Sequence, residues 1–290
     1  MKYSIRRNWL SAIEIITKHP VIIVPFVFIA FLETLMLEFV YFSTRFPISV
    51  VAGPIIRKFF GESFLHYPAN LVILPRMFYY TQVVVYVVIG AFLTAVSVGI
   101  FKCIREDRTI KARVLIKNAL KRYLAFFVYG LIMVVLLAVA QKVGSLVLDK
   151  MARVISNRVA DLPELFYGTM FLSGYFLSHI VLQVFLVLTI PIIVLKQRAL
   201  PAAFLRSMWL GLVNFFKIFI MLAVPYLIYL PIMALRSGPA RLIDNTFPEV
   251  TAVVTIIGIV VAPLLDCFII ICAAQFIFDT QKNTEAEKAK

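Results

Sequence analysis

Residues 77–101, MFYYTQVVVYVVIGAFLTAVSVGIF, run between Arg76 and Lys102 without one charged side chain. A helix rises about 1.5 Å per residue and the hydrocarbon core of a bilayer is about 30 Å thick, so about 20 apolar residues cross it. This stretch is long enough to do so. Its neighbours repeat the pattern. Residues 123–141, between Arg122 and Lys142, are uncharged, and so are 165–195, between Glu164 and Lys196. Residues 218–235 are slightly short but nearly all apolar, and 250–278 hold only Asp266. A sixth stretch, about 20–42, carries Glu33 and Glu38 and gives the weakest signal. The reading is six spans, with five as the alternative.

Composition points the same way. Of 290 residues, 62% are hydrophobic and 15% charged. Soluble domains run about 45–50% apolar and about 25% charged, and one core of this size could not hide the excess. A cytosolic enzyme, a disulfide scaffold and a disordered chain are thereby disfavoured. The net charge of +14 is not a nucleic-acid signature, because no zinc spacing or continuous basic stripe accompanies it. The basic residues sit beside the apolar runs, where they would meet anionic headgroups. Cys103, Cys267 and Cys272 form no Cys-x-x-Cys pair, so the expectation is reduced thiols, no metal and no cofactor.

Lys and Arg set the orientation. Segments 1–19, 102–122, 196–217 and 279–290 hold 19 of them; 43–76, 148–164 and 236–249 hold 9. This bias places both termini in the cytoplasm of a multi-pass protein of the cell (inner) membrane, which requires an even number of spans. The basic start at Lys2, Arg6 and Arg7 reads as the flank of an uncleaved first span rather than a signal peptide.

Three segments on the basic side have helical two-faced patterns. In 3–18 the apolar stripe is Ile5, Trp9, Ala12, Ile13 and Ile16. In 111–123 it is Ala112, Ile116, Ala119, Leu120 and Tyr123, flanked by basic residues. In 200–217 it is Phe204, Leu205, Met208, Trp209, Leu212 and Phe216, opposite Arg206. The expected fold is therefore all-α: six transmembrane helices plus three cytoplasmic interfacial amphipathic helices, in one membrane domain, 1–279. Each interfacial helix precedes a span out and a span back. Two readings stand: three parallel repeats (1–101, 102–195 and 196–279), or the pattern any positive-inside hairpin produces. The polar residues 280–290 read as a disordered tail. Between Pro47 and Pro68 the external connection reads as a short helix on the outer leaflet, or as a plug.

The segment IPIIVLKQ followed by LPAAFLRSMWLGLVNFFK resembles part of the six-span membrane domain fused to some bacterial glycerophosphodiester phosphodiesterases, and related stand-alone bacterial membrane proteins of unknown function. Ala203, Arg206, Ser207 and Trp209 carry the likeness, with Met208 inserted between Ser and Trp. The resemblance implies a fold and a membrane location and supplies no catalytic residues.

Three ionisable residues fall near mid-span: Glu33, His179 and Asp266. Such groups are costly in hydrocarbon and are functional candidates by default, as a proton relay or cation site, or else as packing contacts. The lipid- or partner-facing candidates are Lys111, Arg113, Lys117, Lys121, Arg122 and Arg206. Sequence motifs for phosphate loops, nucleophile elbows or zinc hydrolases are missing, so no enzymatic activity is expected. The sequence-level function is lipid or partner docking through the basic helices, with membrane lipids as partners; the alternative is a small transporter or channel using Glu33, His179 and Asp266.

Overall fold

The structure, a computed structural model, describes residues 5–43, 45–62, 66, 67, 69–156, 164–237 and 246–288. Among these, all regular structure is helical. Helix α1 (Ile5–Lys18) leads through a 3₁₀ turn (Pro20–Ile23) into α2 (Val24–Phe42); α3 is Ile48–Phe60. Next, α4 (Ala69–Val85) passes through a π-helical turn (Tyr86–Gly90) into α5 (Ala91–Arg105), and the short α6 (Ala112–Leu120) follows. Then come α7 (Tyr123–Ser156), α8 (Glu164–Leu186), α9 (Thr189–Leu195), α10 (Leu200–Val213), α11 (Phe215–Ser237) and α12 (Val250–Lys288).

Six helical stretches are long and apolar enough to cross a bilayer: Pro20–Phe42, Asn70–Arg105, Tyr123–Val147, Phe176–Leu195, Phe215–Arg236 and Val250–Thr280. The weakest sequence signal, 20–42, is therefore a full-length helix. Large apolar side chains such as Phe28, Phe31, Leu124, Val135 and Ile228 stand exposed along these stretches. A water-soluble monomer does not carry apolar surface on this scale, whereas a lipid-embedded bundle does. The chain is a multi-pass membrane protein on this evidence.

Two boundaries differ from the sequence reading. Residues 280–290 were expected to be disordered, yet α12 continues to Lys288. The run TQKNTEAEK holds no Gly or Pro and ends in helix formers, so nothing stops a helix already propagating. The 165–195 run is also not one helix: α8 ends at Leu186 and α9 restarts at Thr189. Pro191 is the cause, since its ring clashes with the carbonyl four residues back, at Val187.

The broken backbone is repaired from neighbouring helices. The Ser207 hydroxyl donates to the Phe185 carbonyl at 2.6 Å, and the Tyr129 hydroxyl to the Leu186 carbonyl at 3.0 Å. Arg122 donates to the Ile193 carbonyl at 2.8 Å. Irregular backbone survives within a bundle only where protein groups satisfy it in this way. The same helix, α10, lays a line of small buried residues, Ala203, Ser207 and Gly211, against the α8–α9 junction. A Cβ on Gly211 would sit 2.8 Å from the Val184 carbonyl oxygen, so the two backbones meet there.

Two apolar clusters divide the bundle lengthwise. The larger contains Ala12, Phe26, Phe101, Phe126, Leu188 and Cys272, and gathers the end that carries α1. The smaller, with Leu37, Val40, Ile56, Leu71, Phe78 and Ile259, lies at the end that carries α3. Ile56 thus seats α3 on α2, α4 and α12, while Val50, Val51, Ile55 and Phe59 on its remaining surface are exposed.

Candidate functional sites

The two clusters are separated by a polar layer. On α2, Glu33 falls between Ile29 of one cluster and Leu37 of the other. On α4, Gln82 lies just past Phe78, and on α12, Asp266 falls between Ile259 and Cys267. The Gln82 amide nitrogen donates to Glu33 Oε2 at 3.2 Å, and its carbonyl oxygen accepts from Arg236 at 3.2 Å. Arg236 also donates to the Tyr229 hydroxyl at 3.0 Å and lies 5.8 Å from the centre of the Phe78 ring. Gly258 of α12 makes room for this assembly, because a Cβ there would meet Arg236 and Tyr229 at 3.3 Å.

Asp266 sits beyond this group, beside Tyr226 of α11. The Tyr226 ring packs edge-on against His179, 5.7 Å between centroids. The three residues singled out from sequence therefore gather around α11, but no hydrogen bond joins His179 to either carboxylate; Tyr226 stands between His179 and Asp266. Sequence reading missed Arg236, Tyr226 and Tyr229. Arg236 served there as the boundary of a span, and a tyrosine in an apolar run carries no positional signal.

Among the described residues, no three of His, Cys, Asp and Glu are grouped so as to hold a metal ion.

A second site lies at the α1 end. Helix α6 packs Leu115 and Ala119 toward α5, with Leu115 3.3 Å from where a Cβ of Gly99 would be. At 100° per residue the next arc of α6 holds Ile116 and Leu120, and the arc beyond it Arg113, Lys117 and Lys121. All five of these side chains are exposed. The opposite flank of α6 walls a cavity of about 660 Å³ between the ends of α5, α7 and α9. Lys102, Arg108, Lys111, Lys121 and Arg122 line it, against a single carboxylate, Glu106. Its other end is apolar, bounded by Ala95, Phe126 and Val194.

Local backbone chemistry shapes the mouth of this cavity. Asp107 has φ of 50°, a left-handed turn that Asp tolerates, and it lets Arg108 N–H reach back to the Cys103 carbonyl at 2.9 Å. Arg108 then pairs with Glu106 at 3.1 Å. Arg122 is occupied with the Ile193 carbonyl at the end of α9. The side chains of Lys102, Lys111 and Lys121 have no hydrogen bond or ion pair among the described residues.

The sequence-derived basic set is thus divided. Lys111, Lys121 and Arg122 line the cavity, Arg113 and Lys117 face away from it, and Arg206 lies half-buried on α10. Lys102 and Arg108 were missed, although they belong to the same charged segment; the helical stripe began after them. On α1 the buried line is Asn8, Ala12 and Ile15, so Ile13 of the expected stripe is exposed. On α10 the contrast between faces is one of size: Leu205, Trp209 and Leu212 stand outward and the small residues pack inward.

Comparison with family models, curated proteins and solved structures gives no match.

Proposed function

We propose that this protein is a non-enzymatic membrane-organising or docking protein that engages the anionic cytoplasmic leaflet through α6, supported by α1 and α10. The observation that carries the reading is the surface of α6, where exposed Ile116 and Leu120 adjoin exposed Arg113 and Lys117. An apolar arc bordered by cations is the surface that an acyl–headgroup boundary accommodates. Each basic residue near an anionic leaflet contributes about 1 kcal/mol. In this reading both termini face the cytoplasm, and the likeness of the α10 segment to phosphodiesterase-associated membrane domains adds a bacterial inner-membrane setting.

The test uses the full chain in vesicles, with Ile116→Cys carrying an environment-sensitive dye in a Cys103→Ser background. The buried Cys267 and Cys272 do not compete for the label. The expected result is a blue-shifted emission that is stronger in anionic than in zwitterionic vesicles. Equal emission in both would remove the reading.

A second reading rests on Tyr226, which packs against His179 and lies beside Asp266, with Glu33 held by Gln82 in the same polar layer. It makes the chain a small transporter or channel for protons or a small cation. Flux in proteoliposomes that Asp266→Asn abolishes would support it; flux indistinguishable from empty vesicles would dismiss it.

A further inference from the structure

We infer that the cavity between α5, α6, α7 and α9 is a specific site for the phosphate headgroup of a single anionic phospholipid. The inference deepens the docking reading and rests on it. Five cations and one carboxylate line one half-open cavity, and the three lysine side chains have no partner among the described residues. Like charges gathered around one space repel, and an anionic phosphodiester between them converts that repulsion into attraction. Asn118 and Thr109 add neutral polar groups to the same lining.

The opposite end of the cavity selects the source of the phosphate. Along α5 the lining runs from Glu106 back to Ala95, about 16 Å of helix at 1.5 Å per residue, and passes from charged to apolar. A free phosphate would fill the basic end and leave Ala95, Phe126 and Val194 facing an empty apolar space. A phospholipid matches both ends, with its phosphate among the lysines and the start of an acyl chain against the apolar floor. The volume of about 660 Å³ lies within the range of ligand sites.

The purified full chain in detergent is examined by native mass spectrometry with phosphatidylglycerol, phosphatidylcholine of the same acyl chains, and inorganic phosphate. One phosphatidylglycerol per chain is expected to persist where phosphatidylcholine is stripped, and inorganic phosphate is expected not to displace it. The variant K102Q/K111Q/K121Q should bind it at least about tenfold more weakly, whereas R57Q/K58Q, exposed on α3 at the opposite end of the bundle, should bind normally. As a second readout independent of folding yield, phosphatidylglycerol should slow maleimide labelling of Cys103, which lines the cavity, in the parent chain and not in the triple variant. Undiminished binding by the triple variant, no preference over phosphatidylcholine, or displacement by inorganic phosphate would each overturn the inference. The docking reading is judged separately by the Ile116 dye: dye sensitivity without Cys103 protection removes only the cavity site, and the reverse removes only the docking surface.

Discussion

The side-chain amide of Asn8 donates to the backbone carbonyl of Cys272 at 3.1 Å and lies 3.5 Å from the Met221 sulfur. The first helix is thereby fastened to the last two spans. A few residues away Arg105 donates to Ser11 at 2.7 Å and to Gln275, and Gln275 in turn donates to Asp279 at 2.7 Å. Helices α1, α5 and α12 are thus tied together by a continuous polar chain, and α1 is part of the bundle rather than a loose leader.

Replacing Asn8 with Leu should therefore lower thermal stability in detergent, although leucine is the more apolar residue. Asn8 is 2% exposed and its amide bonds a main-chain carbonyl. Interhelical side-chain bonds in membrane proteins contribute about 0.6 kcal/mol on average, and a buried neutral bond about 0.5–1.5 kcal/mol. A melting curve unchanged or raised by Asn8→Leu would show that the bond contributes nothing.

The Glu33–Gln82–Arg236 chain predicts non-additive energetics. Arg236→Ala strips a donor from both Gln82 and Tyr229, and leaves Glu33 without the cation that faces it through the amide. It should cost about 1–3 kcal/mol. Glu33→Gln should cost less, and combined with Arg236→Ala it should recover part of the loss, because no uncompensated carboxylate is then left. A double-mutant cycle measures this coupling, and strict additivity of the two variants would contradict it.

Two glycines predict opposite outcomes. Gly211→Ala puts a methyl group 2.8 Å from the Val184 carbonyl oxygen and 3.1 Å from the Phe185 Cα. Backbone must shift there, at a cost of about 1–3 kcal/mol. A Cβ on Gly53, inside α3, meets nothing within 4 Å. Gly53→Ala should instead stabilise by about 0.4–1 kcal/mol, by restricting the unfolded chain. Comparing the unfolding midpoints of the two variants in one detergent decides the pair.

On α1, the Lys18 ammonium donates to Glu14 at 2.7 Å and holds that carboxyl below its ordinary titration range. A depressed carboxyl contributes stability above its unfolded titration point, and the contribution fades as pH falls through the folded one. Both side chains are exposed, so the effect on stability is slight. NMR titration should find the Glu14 midpoint depressed at low salt, and restored toward ordinary values by Lys18→Gln or by added salt. A midpoint indifferent to both would show that the ion pair is not populated.

Sequence alone determined the solvent of this protein and the number of its long helices. Charge-free runs of bilayer length leave the backbone no option but helix, since hydrocarbon offers no other hydrogen-bond partner. That rule is local and can be read residue by residue; even the Glu33-bearing run 20–42 obeyed it. Tertiary structure decided what each helix faces. Which side of α1 is buried, why Ser207 and Gly211 must be small, how Arg236 reaches Gln82, and which lysines of 102–122 share a cavity all depend on how separate helices rotate and approach one another. The apolar runs are greasy on every side, so their sequence carries almost no signal for that rotation; packing between neighbours sets it.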